Sequence, residues 1–242
     1  MTLTALIFDV DGTLSETEEL HREAFNETFA AEGLDWHWDQ ALYAELLAVT
    51  GGKERIAFHQ QRSGFEPALS SERIAALHAA KTRLYTSKVA GGGVALRPGI
   101  RRILYDAKDA GLRLAIATTT SRPNIDALLA AAAPLPDFDV IAAGDEVKAK
   151  KPAPDVYELA LTRLGLAPEG CLAIEDTENG LRSAMGAGLR CIITTSTYGG
   201  QGPFPGACAV ITHLGDPGNP AFTLAGPPLD NTLATIAWLK QL

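Results

Sequence analysis

Short apolar, β-branched runs recur along the chain at ALIFDV (5–10), RLAIAT (113–118), FDVIAAG (138–144), CLAIED (171–176) and RCIITT (190–195). They are apolar on both faces instead of alternating, the pattern of strands covered on each side. Helix-length segments separate them: IRRILYDAKDAG, NIDALLAAAA, DVYELALTRLG and NGLRSAMGAG. Strand alternating with helix predicts an α/β fold, a doubly wound parallel sheet with helices on both faces.

Between Ser15 and Leu96 the alternation stops and the chain reads as helix after helix. The first of these helices begins SETE, a capping box in which Ser15 caps and Glu18 reaches back. The segment closes with AGGGV, whose three glycines suit a flexible connector. These features predict a helical cap domain, 16–95, inserted after the first strand of a core made of 1–15 and 96–242. Two crossings make a hinge, and a hinged cap can close over a ligand at the strand ends. The tail from PFPGACAV onward is rich in Pro and Gly around one more short strand, and LDNTLATIAWLKQL reads as a closing amphipathic helix.

Composition narrows the class. At 46% hydrophobic and 21% charged residues the chain reads as soluble and globular, with no apolar run long enough to span a bilayer. The first residues lack the basic stretch of a secretory signal, so the expected location is cytoplasmic. A net charge of −8 argues against nucleic acid or anionic membranes as partners. Cys171, Cys191 and Cys208 show no ligand spacing and are expected to be buried, reduced thiols. Nothing marks an obligate interface, and a monomer is the default.

In open parallel sheets ligands bind beyond the carboxyl ends of the strands, and the polar residues gather there. The first strand delivers Asp9 and Asp11, the second Thr118, Thr119 and Thr120, the fourth Glu175 and Asp176, and the loop KAKKP brings Lys151. Converging carboxylates repel unless a hard cation lies between them, and Mg²⁺ takes carboxylates, water and phosphate oxygens. Asp9 can attack phosphorus, Asp11 can protonate a departing oxygen and later deprotonate water, Thr118 can hold a phosphoryl oxygen, and Lys151 can neutralise charge.

These residues resemble the haloacid dehalogenase superfamily: DVDGT at 9–13, Thr118 after an apolar strand, Lys151-Pro152 and the Glu175-Asp176 pair. The helical insertion is similar to that of its beta-phosphoglucomutase-like branch. The resemblance implies a Rossmann-like core, Asp9 as nucleophile and Mg²⁺ ligand, and Asp11 as general acid/base with its backbone carbonyl on the metal. It also implies Asp176 as a ligand, and Glu175 supporting the metal through water. GGKER at 51–55 offers Lys53 and Arg55 as a local positive site for a second phosphate. Within the branch the chain looks most like CbbY-type phosphatases, which act on xylulose 1,5-bisphosphate, an inhibitor of Rubisco. That similarity implies that Glu18 and His21 face the substrate, that Thr50, Gly51, Gly52, Lys53 and Arg55 hold the remote phosphate, and that Arg122 and Asn124 assist from the core.

Plainer readings exist for several of these residues. Glu18 can simply complete the capping box, and the pattern LHAAKTRLY places Lys81, a further candidate for substrate binding, on a solvated face. His59, His78 and His213 receive no role. The expected activity is a Mg²⁺-dependent sugar-phosphate phosphatase working through an aspartyl-phosphate. A phosphomutase shares its chemistry and differs in whether water or sugar meets the phosphoaspartate. A phosphoaspartate signalling module is disfavoured by the long insertion, and a dehalogenase by the presence of Asp11.

Overall fold

The computed structural model describes residues 2–200 and 202–242. The five expected strands form as β1 (Ala5–Phe8), β2 (Arg113–Ala117), β3 (Val140–Ala142), β4 (Cys171–Glu175) and β5 (Arg190–Thr194). They belong to a seven-stranded sheet of order β3-β2-β1-β4-β5-β6-β7, completed by β6 (Ala209–Ile211) and β7 (Thr223–Ala225). The strands β1 to β6 run parallel, and β7 pairs antiparallel with β6. The tail therefore supplies two strands where its pattern suggested one.

Residue parity along the strands sorts the core. Leu6, Phe8, Leu114, Ile116, Leu172 and Ile174 pack on one side, against α5 (Ile100–Asp109) and α6 (Arg122–Ala132). Ala5, Ile7, Ala115, Ala117 and Ala173 face the other, against α7 (Asp155–Leu164) and α8 (Glu178–Gly186). Both faces are dry, which explains the unbroken apolar runs. The strand order reverses direction at β1. Register pairs Phe8 with both Ile116 and Ile174, so the residues that follow β1, β2 and β4 emerge side by side at one edge.

The insertion comprises α1 (Glu18–Ala31), α2 (Gln40–Leu46), α3 (Gly52–Ser63) and α4 (Ser71–Ala90). It has its own core, in which Phe25, Phe29, Trp36, Trp38, Tyr43 and Leu46 cluster. Asp39 and Ser70 cap α2 and α4 by accepting from Leu42 N and Arg73 N.

Four local expectations are corrected. Helix α1 starts at Glu18 with Thr17 at its cap and no side-chain cap bond, because the Ser15 hydroxyl donates instead to Ala95 O. Ser15 lies where the two crossings pair, bridging to Leu96 while Arg97 N donates to Leu14 O at 2.9 Å. The glycine triplet is a hydrogen-bonded end to α4, with Gly91, Gly92 and Gly93 N bonded to Ser87, Val89 and Lys88 carbonyls. The closing helix shrinks to α9 (Ile236–Leu239), because Asn231 and Thr232 adopt left-handed backbone in a turn ahead of it. The three cysteines are free, and Cys208 is half-buried where full burial was expected.

Candidate active site

Asp9 follows β1 directly, and its backbone N–H donates to Ile174 O at 3.0 Å, which fixes it beside the end of β4. Its carboxylate meets those of Glu175 and Asp176, and one oxygen from each of the three lies within 4.8 Å of the others. Lys151 Nζ sits among them, 2.7 Å from Asp9 Oδ1, 2.6 Å from Glu175 Oε1 and 3.0 Å from Ala117 O. Burial works against the ammonium, but the two carboxylates overcome it and push its pKa up, so Lys151 stays charged. The Tyr157 hydroxyl gives Glu175 Oε1 a further bond of 2.7 Å. Glu175 is fully buried and held entirely by neighbours, consistent with support of a cation at one remove.

The acids are electrostatically uneasy as they stand. Burial, with Glu175 and Asp11 adding and Lys151 opposing, raises the Asp9 carboxyl to about 7. Burial and the two neighbouring carboxylates push Asp176 up as well. Ser196 Oγ donates to Asp176 Oδ2 at 2.5 Å, whereas Asp176 Oδ1 is buried with no hydrogen-bond partner. An orphaned carboxylate oxygen aimed into a nest of three acids fits a hard divalent cation, which would relieve the repulsion and satisfy that oxygen. Gly12 makes the approach possible: its φ is +79°, and a Cβ there would stand 2.0 Å from Asp176 Oδ2.

The Asp11 side chain turns away from this cluster toward the insertion. Its Oδ1 accepts from the Thr17 hydroxyl at 2.6 Å and lies 3.1 Å from His21 Nε2. Burial alone would raise this carboxyl, but His21, Thr17 and Lys81 together hold it at about 2. Any direct part in metal binding thus falls to its backbone. His21 stacks on Tyr85, centroids 3.9 Å apart, and its Nδ1 accepts from Lys81 Nζ at 2.5 Å. Burial and the adjacent lysine keep the imidazole below its usual pKa, so a neutral ring passes a chain of donated hydrogen bonds from Lys81 to Asp11.

Two adjoining cavities open above the strand ends. The smaller, about 340 Å³, contains Asp9, Thr118, Lys151 and Asp176, and the larger, about 490 Å³, lies between insertion and core. Asp11, Glu18 and Arg55 border both. Thr118 is buried at the smaller one, its Oγ1 accepting from Thr120 N at 3.3 Å. Gly51, Gly52, exposed Lys53 and Asn124 line the larger. Asn124 Nδ2 donates to Thr120 Oγ1 at 3.0 Å, leaving its buried Oδ1 unpaired.

The structure departs from expectation at several of these positions. Lys81 is buried at 4% exposure, because its helix face packs on α1; the solvated-face reading of LHAAKTRLY is wrong. Arg122 does not border the cavity: its guanidinium is exposed and donates to Asp126 Oδ1 at 2.8 Å, as the i,i+4 spacing on α6 allows. The Thr50 hydroxyl donates to Lys151 O, tying insertion to core. Glu18 does not cap its helix; it accepts from the Tyr43 hydroxyl at 2.6 Å, which in turn accepts from Arg55 at 3.0 Å. Sequence reasoning missed Tyr43, Tyr157, Ser196 and Tyr198, which carry no motif. It also missed His78, which lines the larger cavity and is held down to about 3 by burial and by Lys81 and Lys53. A Cβ on Gly52 would lie 2.5 Å from the His78 ring, so the bare residue there makes room for an imidazole.

Three clustered carboxylates and a buried lysine stand at the ends of the core strands, and the chain belongs to the haloacid dehalogenase-like hydrolase family, which matches it over residues 3–188; its relatives place it among the phosphatases of that family. It is 59% identical over 201 residues to Protein CbbY of Rhodobacter capsulatus, covering 82% of this chain and 88% of that one. The crystal structure of CbbY from Rhodobacter sphaeroides in complex with phosphate is 54% identical, with a TM-score of 0.82 over 86% of this chain and 93% of the other. A mutant of that protein, solved in complex with xylulose-(1,5)bisphosphate, is 53% identical, with the same TM-score and coverage. Among the described residues no helix is long and apolar enough to cross a membrane.

Proposed function

We propose that the protein is a Mg²⁺-dependent sugar-phosphate phosphatase whose substrate is xylulose 1,5-bisphosphate, and that residues 16–95 form a cap that closes over it. The observation that carries this reading is the division of labour between the first two acids. Asp9 stands in the cation nest at the core, while Asp11, two residues on, is bonded to His21 of the insertion. A nucleophile and a proton carrier thus flank the position where the two cavities meet. The similarity to a CbbY mutant solved with xylulose-(1,5)bisphosphate supports the choice of sugar. On that substrate the reaction would remove a Rubisco inhibitor from the Calvin cycle, as the resemblance to CbbY-type phosphatases implies.

Asp9 and Asp176 would hold Mg²⁺ with the Asp11 backbone carbonyl, and Glu175 would support it. When bound, the ion supplies charge neutralisation for phosphoryl oxygens. A carboxylate oxygen of Asp9 attacks phosphorus and the bond from phosphorus to the sugar oxygen breaks, leaving an aspartyl-phosphate. Asp11 gives the departing oxygen its proton; the dianionic phosphate beside it raises its pKa in the complex, so one carboxyl serves as acid there and as base afterwards. Asp11 then takes a proton from water, whose oxygen attacks the phosphoaspartate, releasing inorganic phosphate and regenerating Asp9. Thr118 and Lys151 hold the transferring oxygens, while Lys53 and Arg55 seat the second phosphate in the larger cavity.

The test is phosphate release across C4 to C6 sugar mono- and bisphosphates, with product analysis. Preferential release of one phosphate from the pentulose bisphosphate supports the reading. Isomerised sugar phosphate without phosphate release would instead make the enzyme a mutase.

A further inference from the structure

Asp176 is the nest's acid with an unpartnered oxygen, and its other oxygen is held from the loop after β5. Ser196 lies in the loop after β5, and its hydroxyl reaches Asp176 Oδ2 at 2.5 Å while accepting from Gly199 N at 2.8 Å. Because a hydroxyl has one proton, the bond from Gly199 N leaves that proton for Asp176. This fixes which carboxylate oxygen is occupied and leaves the buried Oδ1 without a partner.

The same loop is fastened from two further sides. At its start, Arg97 donates to Thr195 O at 2.5 Å and to Thr194 Oγ1 at 3.0 Å, and the same guanidinium bonds Gly12 O. Farther on, the Tyr198 hydroxyl donates to Glu19 Oε2 of α1 at 2.6 Å, and its ring meets that of Tyr43 edge-on, centroids 5.7 Å apart. Thr197 N donates to Glu16 Oε2 at 3.3 Å, and Glu16 Oε1 pairs with Arg97 Nε at 3.2 Å. One short loop therefore touches the cation nest through Ser196, the turn after the catalytic acids through Arg97, and the insertion through Tyr198 and Thr197.

We propose that Ser196 and Tyr198 are positioning residues: Ser196 sets the orientation of the cation ligand Asp176, and Tyr198 docks the loop carrying it onto α1, so that the seat of the insertion and the geometry of the ligand are held by one element. The inference rests on the cation site proposed above. Outer partners of metal-ligating carboxylates typically govern affinity far more than their distance suggests, because they fix the ligand before the ion arrives.

The test is calorimetric titration of Mg²⁺ into the full-length protein without sugar, for wild type, Ser196→Ala, Ser196→Thr and Tyr198→Phe, alongside thermal melting. Ser196→Ala should weaken Mg²⁺ binding on the order of tenfold while melting cooperatively, and Ser196→Thr, which keeps the hydroxyl, should recover most of it. Tyr198→Phe should weaken Mg²⁺ by a smaller factor, since the loop loses one of three fastenings. Wild-type Mg²⁺ affinity in Ser196→Ala, or an equal loss in Ser196→Ala and Ser196→Thr, overturns the role of Ser196. Unchanged affinity in Tyr198→Phe overturns the docking role. If the wild type itself binds no Mg²⁺, it is the cation site that fails, and the two failures are distinct.

Discussion

Lys81 Nζ lies 2.5 Å from His21 Nδ1 in the lining of the larger cavity, a buried ammonium whose near partner is a neutral ring and not a carboxylate. Burial, with Arg55 adding and Asp11 and Glu18 opposing, brings its pKa down to about 7. The folded value thus lies below the unfolded one, near 10.5. From pH 7 upward the unfolded chain keeps a proton that the folded chain has released, so stability rises with pH across that window; below it the cost of burying the charge is fully present. Chemical denaturation of wild type and Lys81→Met between pH 6.5 and 9.5 should show this slope in the wild type and a flatter one in the variant. Parallel slopes would remove the assignment.

Asp9→Asn and Asp11→Asn should each remove turnover of sugar phosphates in the presence of Mg²⁺. The first takes away the nucleophile, and the second should cost on the order of a hundred- to ten-thousandfold as the loss of an acid/base group. Asp9→Asn also relieves repulsion in the acid nest, so its melting temperature without metal should not fall. Full activity in either variant, measured by phosphate release, would refute the assigned role.

Lys151 is the only cation among the described residues that pairs with the nest, bonded to both Asp9 and Glu175. Lys151→Met leaves the fully buried Glu175 without its counter-ion, and breaking a buried pair from one side costs about 3–5 kcal/mol. Urea denaturation should show that loss together with lost activity. The double variant Lys151→Met with Glu175→Gln should recover part of the stability without recovering turnover.

Lys53 and Arg55 should separate binding from folding. Lys53 is exposed at the larger cavity, so Lys53→Ala should raise KM for a sugar bisphosphate several-fold and leave a small aryl phosphate and the melting temperature unchanged. Arg55 is buried and donates to the Tyr43 hydroxyl and to Leu46 O, so Arg55→Ala should lower stability as well. Equal losses on both substrates in Lys53→Ala would exclude a second-phosphate seat there.

Chelation gives the complementary measurement. Metal-free protein should be inactive, and Mg²⁺ at about a hundred times its dissociation constant should stabilise the fold by about 2.7 kcal/mol through mass action. No thermal shift on adding Mg²⁺ would contradict the cation nest.

What the sequence by itself determined is what short-range physics controls. Runs such as ALIFDV and CLAIED can only be strands buried on both faces, and the acids directly after them must surface at the strand ends. Asp9, Asp11, Thr118, Glu175 and Asp176 were legible for that reason, whereas Lys151, in the KAKKP loop, was legible only through its adjacent proline and the family resemblance. Tertiary structure alone decided which partner each polar group met. Ser15 and Glu18 satisfy a capping box on paper, but Ala95 and Tyr43 offered closer partners once the crossings paired and α2 folded back. Lys81 sits in a pattern that reads as surface, yet α1 covers it. Ser196 and Tyr198 reach Asp176 and Glu19 from 20 and 179 residues away, a contact that no local spacing encodes. A side chain's burial and hydrogen bonds depend on what lands against it, and that is settled by the packing of elements distant in the chain.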